Sequence, residues 1–162
     1  MARASVVPDV IDALVAIAAT AVPSGVRVID GYDMSGDPSD VLMIGSDDPN
    51  AVEWTNMATA QQDWANATKQ SRNETATITC VAAAFSGDGD IRTARNAAYA
   101  YADALGDAIR ANVNLVVPDL FPNGVTGVWK TNFFTTSGLT QVFTGDGAAA
   151  LLVFGIQVFA RI

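Results

Sequence analysis

The sequence contains no histidine, a single cysteine (Cys80), and only two glutamates, Glu53 and Glu74, among its 17 acidic residues. Each scarcity excludes something. Without histidine there is no Ser-His-Asp or Cys-His nucleophile system and no His-based zinc site. One cysteine cannot close an internal disulfide. Positive charge is also scarce: nine Lys and Arg leave a formal net charge of −8. A protein that grips nucleic acid through phosphates needs a basic face. These nine cations are scattered along the chain, so the expectation is repulsion from DNA. No uncharged run approaches the ~20 residues of a membrane-spanning helix. "LVAIAATA" (Leu14 to Ala21) ends like a signal-peptidase site, but Asp9 and Asp12 interrupt the approach and only Arg3 serves as a basic leader. The expectation is a soluble intracellular chain without a membrane partner.

What the chain does have is apolar residues, half of its 162, enough for one core in a single domain spanning residues 1–162. Aspartate suits turns and caps, whereas glutamate suits helix surfaces. The bias toward aspartate predicts many strands and turns and few exposed helices.

Periodicity gives the elements. Pro8 to Val22 reads as a helix: proline suits its first turn, Asp9 and Asp12 suit its positive end, and Pro23 stops it. "GVRVIDGY" (Gly25 to Tyr32) and "VLMIG" (Val41 to Gly45) read as strands. Thr59 to Trp64 reads as a strand, followed by the loop "ANATKQSRN" and a return strand, Glu74 to Phe85. Within the return strand Ala76, Ile78, Cys80 and Ala82 share the inward face, which makes Cys80 a buried apolar residue. Ile91 to Asn112 is the main helix, with Ile91, Ala94, Ala98, Tyr101, Leu105 and Ile109 in one stripe. Its many alanines predict close approach of another element. Three strands follow: Val125 to Thr136, a "TSG" turn, Leu139 to Thr144, a "TGDG" turn, and Ala149 to Ile162. The last is apolar on nearly both sides, as a central strand is. The sum is an α+β domain: a mostly antiparallel sheet with an N-terminal helix and one long central helix packed on it.

"SGDGD" (Ser86 to Asp90) offers three readings. A phosphate cradle would need a lysine and no carboxylates among its glycines. A calcium loop would need a third oxygen ligand where Arg92 stands, and a later glutamate. The simpler reading is a turn made by Gly87 and Gly89, with Asp90 as the N-cap of the long helix. Beyond it, Arg92 and Arg95 occupy the positive end of that helix and Asp103 and Asp107 its second half. That arrangement opposes the macrodipole. Either these side chains are solvated, or they meet a neighbouring subunit, Arg92 and Arg95 pairing with Asp103 and Asp107 of the next copy.

The aspartates cluster in turns (Asp30, Asp33, Asp37, Asp40, Asp47, Asp48), and Lys69 and Lys130 are the only amines available as nucleophiles. No carboxylate pair stands out in an apolar setting, so no enzyme, cofactor or metal is expected.

The order of features resembles the tail terminator (tail completion) proteins of long-tailed, siphovirus-type phages, especially those infecting actinobacteria. The likeness is carried by a leading helix, then "GVRVIDGY", then "DWANATKQSRNETATITCVAAAFSGDGDIRTARNAAYAYADALGDAIR", then "GDGAAALLVFGIQVFARI". It runs from about residue 10 to the end and is a pattern of elements, not a catalytic signature. The resemblance implies a structural virion protein forming a ring, usually a hexamer, on the head-proximal end of the tail tube. Such a ring ends tube growth and meets the head's completion or stopper protein, and genomic DNA passes through its lumen without specific binding. On this reading Arg92, Arg95, Asp103, Asp107, Trp54 and Trp64 are candidate subunit-interface residues. Alternatives are another neck or tail-tube ring protein, or, in a different class, a small intracellular ligand-binding domain or a carboxylate enzyme.

Overall fold

A computed structural model describes residues 4–35, 38–47, 56–65 and 71–162. It holds two helices, α1 (Val7–Ala21) and α2 (Ile91–Ala111), and six strands: β1 (Arg27–Asp30), β2 (Val41–Ile44), β3 (Ala58–Trp64), β4 (Arg72–Ser86), β5 (Val128–Thr144) and β6 (Gly147–Arg161). All six strands join one sheet in the order β1-β2-β4-β6-β5, with β3 also paired to β4. Only β1 and β2 run parallel; every other pairing is antiparallel. The α+β architecture expected from the sequence is the one observed.

β4 and β6 form the spine, paired from Asn73↔Arg161 to Ser86↔Ala148. The far edge of β4 is shared. β3 takes Arg72 to Ile78, and β2 takes Cys80 to Ala83. Alternation then sorts the side chains. Ile78, Cys80, Ala82, Leu152, Phe154, Ile156 and Val158 face the helices and form one core with Leu14, Ile17, Ala98, Leu105 and Ile109. The opposite face carries a second, smaller cluster of Val41, Met43 and Val81, flanked by Ile29, Ala83, Leu151 and Val153. Both helices pack on the first face.

α1 begins with proline in its first turn, as expected; its N-cap residue, Val6, has no capping side chain, and the Ser5 hydroxyl accepts from the Val7 N–H (3.1 Å). The buried Glu74 of β4 adds to this from across the core. Its Oε1 accepts from the Ser5 hydroxyl (2.8 Å) and the Val6 N–H (2.9 Å). Its Oε2 accepts from the Gln62 amide of β3, which also donates to the Ala4 carbonyl. A buried carboxylate with this many donors is satisfied without a cation.

The sequence reading is corrected in one element. The "TSG" segment at Thr136 to Gly138 is not a turn between two strands. It belongs to an irregularity inside the continuous 17-residue β5, where pairing skips from Phe133↔Ile156 to Ser137↔Phe154. Phe134 adopts φ 62°, the left-handed region, to make the extra residues fit. Turn-like composition serves a bulge as well as a hairpin turn. Three expected strands after α2 are therefore two, β5 and β6, joined at Gly145 and Asp146.

The bulge has a packing result. Phe133 and Phe134 are consecutive, yet both rings lie against Phe154, at 5.5 and 5.6 Å between centroids. Phe133 also fills the space above Gly106 of α2, where an added Cβ would stand 2.5 Å from the ring.

Candidate assembly surfaces

Asp90 is the N-cap of α2, at φ −81° and ψ 98°. Its carboxylate accepts from the Arg92 N–H (3.0 Å) and the Thr93 hydroxyl (2.5 Å). These bonds, that from the Thr93 hydroxyl first, hold its pKa below the ordinary aspartate value of 3.8. Gly89, at φ 72°, makes the turn out of β4.

The charges beyond the cap take clear positions. Tyr99 approaches Phe134, Gly106 abuts Phe133, and the Arg110 guanidinium lies over the Phe133 ring at 5.9 Å. One flank of α2 therefore faces β5. Arg92 is seven residues before Tyr99, Arg95 four before it and Asp103 four after it, so helical spacing puts all three on that flank. Asp107 bonds to Arg110 of its own helix. Arg92, Arg95 and Asp103 thus share one side of the chain.

Trp64 ends β3 and is 70% exposed. Trp54 lies outside the described residues. Trp129, not among the residues expected at an interface, is 59% exposed on β5 with its ring 5.6 Å from Phe159. Lys130 lies over the same Phe159 ring at 5.3 Å. Leu139, Val142 and Phe143 also stand exposed on β5. Two features would have pointed there: fourteen successive uncharged residues from Thr131 to Thr144, and aromatics at both ends of the strand.

Among the described residues the strand order leaves free edges on both sides of the sheet: β5 on one, β1 and β3 on the other. Unpaired edge strands present rows of backbone donors and acceptors. Two shallow hollows open on the face away from the helices. One is walled by Thr75, Trp129, Phe159 and Arg161, the other by Tyr32, Val41, Met43 and Leu151. Among the described residues no three metal-ligating side chains gather, and no helix is long and apolar enough to cross a membrane.

Two interior groups belong to the scaffold. Cys80 is fully buried, and desolvation pushes its thiol up to about 12. Tyr101 donates to Asp40 Oδ2 (2.6 Å), and Asp40 Oδ1 accepts from the Phe85 N–H (2.9 Å). Burial first, and the Asp40 carboxylate second, raise the Tyr101 pKa. This pair ties α2 to the loop before β2.

No protein-family model matches the chain, and no curated protein matches it.

Proposed function

We propose that this chain is a structural, ring-forming phage tail terminator. It sits at the head-proximal end of the tail tube, ends tube polymerisation, and presents a surface to the head's completion or stopper protein. It works as a homo-oligomer, with the hexamer as the expected ring, and it resides in the virion after assembly in the host cytoplasm. The observation that carries the reading is the sheet itself. It has different free edges on its two sides and one face without a helix. Unlike edges suit a heterologous contact, and repeated heterologous contacts close into a ring when the rotation allows. The resemblance in element order supports the same role. The net charge of −8 suits a channel through which DNA passes without sticking, because phosphate contacts are what retain it.

Imaging of tails that carry this protein tests the reading. The expected result is one ring at the head-proximal end. Density from this protein repeated along the tube would make it a tube protein instead.

A further inference from the structure

We infer that copies of this chain join by a head-to-tail seam in which β5, with the arginine-bearing flank of α2, meets the β1 and β3 edge of the next copy. The inference rests on the ring reading above and specifies its contact. Three observations converge on it.

Strand direction is the first. β4 is antiparallel to β6, to β3 and to β2, β6 is antiparallel to β5, and β1 follows β2. β5 therefore runs opposite to both β1 and β3. Laid beside a second copy in the same orientation, β5 makes an antiparallel ladder along the whole opposite edge.

Shape is the second. The opposite edge is stepped, because β3 pairs with β4 through Ile78 and β2 takes over at Cys80, carrying β1 one strand further out. The change falls at Thr79. Thr79 pairs with Gly155, and the β5 bulge sits across from Gly155, between the Phe133↔Ile156 and Ser137↔Phe154 pairs. Both edges thus change course at one level. A bulge bends its strand, and a bend there is what an edge needs to follow a step.

Charge is the third. Below that level, on the face without helices, Lys130 is exposed on β5. Through Phe159 and Thr75 it lies level with Gln61, one same-face position from the exposed Asp63 of β3. Above it, on the helix face, Asp30 of β1 is exposed and lies level with Phe154 through Ile44 and Cys80. Tyr99 reaches the same level through Phe134, and Arg95 is one helical turn away. An unshifted seam therefore sets Lys130 near Asp63 and Arg95 near Asp30, one pair on each face of the sheet. In both pairs the basic member is on the β5 side and the acidic member on the other.

Charge exchange tests the seam, with self-association read by sedimentation at low salt and folding checked by melting temperature. R95E/K130E makes both sides acidic, and D30K/D63K makes both basic. Each is expected to weaken association roughly tenfold, the scale of two exposed pairs turned repulsive. A 1:1 mixture of the two variants, and a single chain carrying all four changes, are expected to recover it. A wild type that stays monomeric, variants that associate undiminished, or a four-fold chain that fails to recover would each overturn the seam. If a charge variant fails to fold, Gln61→Cys with Lys130→Cys in one chain replaces it. Oxidation should give a ladder of cross-linked multimers, whereas dimers alone would mean a two-fold contact and no crosslink would mean no such seam. The terminator reading is judged separately, by where the protein sits on tails.

Discussion

Glu74 shows how much one side chain decides here. It is one of only two glutamates in the chain, and it is 1% exposed. It serves the first turn of α1 from a strand 68 positions away, accepting from the Val6 N–H, the Ser5 hydroxyl and the Gln62 amide. Removing the carboxylate leaves these donors facing a cavity. Glu74→Ala is expected to cost roughly 2–3 kcal/mol, which at this chain length lowers the melting temperature by about 4–12 °C. Denaturant unfolding checks this; a midpoint unchanged from wild type would show that water replaces the carboxylate at no cost. The Asp90 cap followed sequence rules because cap and helix are neighbours in the chain. The Glu74 cap is non-local, and no spacing rule reaches it.

At the scale of elements, the hairpin of β5 and β6 carries the most information. The β6 pattern, with Leu152, Phe154, Ile156, Val158 and Ala160 buried on one face, matched the alternation in the sequence. β5 did not, because its pattern is broken by the bulge that turns Phe133 and Phe134 to the same side. Gly155 makes room for that bulge: a Cβ there would meet Thr136 Oγ1 at 2.8 Å and Thr135 Oγ1 at 3.0 Å. The Thr135 hydroxyl also donates to the Gly155 carbonyl. Gly155→Val is therefore expected to displace the bulge and cost about 1–3 kcal/mol, the usual range for overpacking. Amide exchange should speed most in the hairpin beyond Ser137, with α1 and β4 retaining their protection. Uniform acceleration across the sheet would mean that the bulge is not a separate unit.

At the scale of the whole molecule, charge and topology govern behaviour together. The basic residues that the structure gathers on the β5 side, Arg92, Arg95, Arg110 and Lys130, share that side with Asp103 and Asp107, and Arg110 is bonded to Asp107. The chain as a whole remains at −8. No sufficient phosphate-neutralising surface results, so the isolated protein is expected not to bind duplex DNA at physiological salt. A fluorescence titration checks it; micromolar affinity with a steep salt dependence would refute the expectation. Where Lys130 and Arg95 meet Asp63 and Asp30 of a like copy, association should weaken as salt rises.

Local features were legible from neighbours in the chain. Both helices, the strands β1 to β4 and β6, and the Asp90 cap follow from periodicity, proline placement and capping chemistry, all of which act within a few residues. The inward face of β4, including Cys80, was likewise legible, because alternation is a property of the strand alone. Tertiary structure decided what depends on partners distant in the chain. Among the described residues it alone placed β2 and β3 in tandem along β4, left β5 unpaired on its outer side, and turned the flank of α2 that carries Arg92, Arg95 and Asp103 toward β5. It also turned the expected "TSG" turn into a bulge. A segment rich in Thr, Ser and Gly tolerates either outcome, and the choice was made by Phe154, against which both phenylalanine rings pack, and by Gly155, whose missing side chain leaves Thr135 and Thr136 the room they fill.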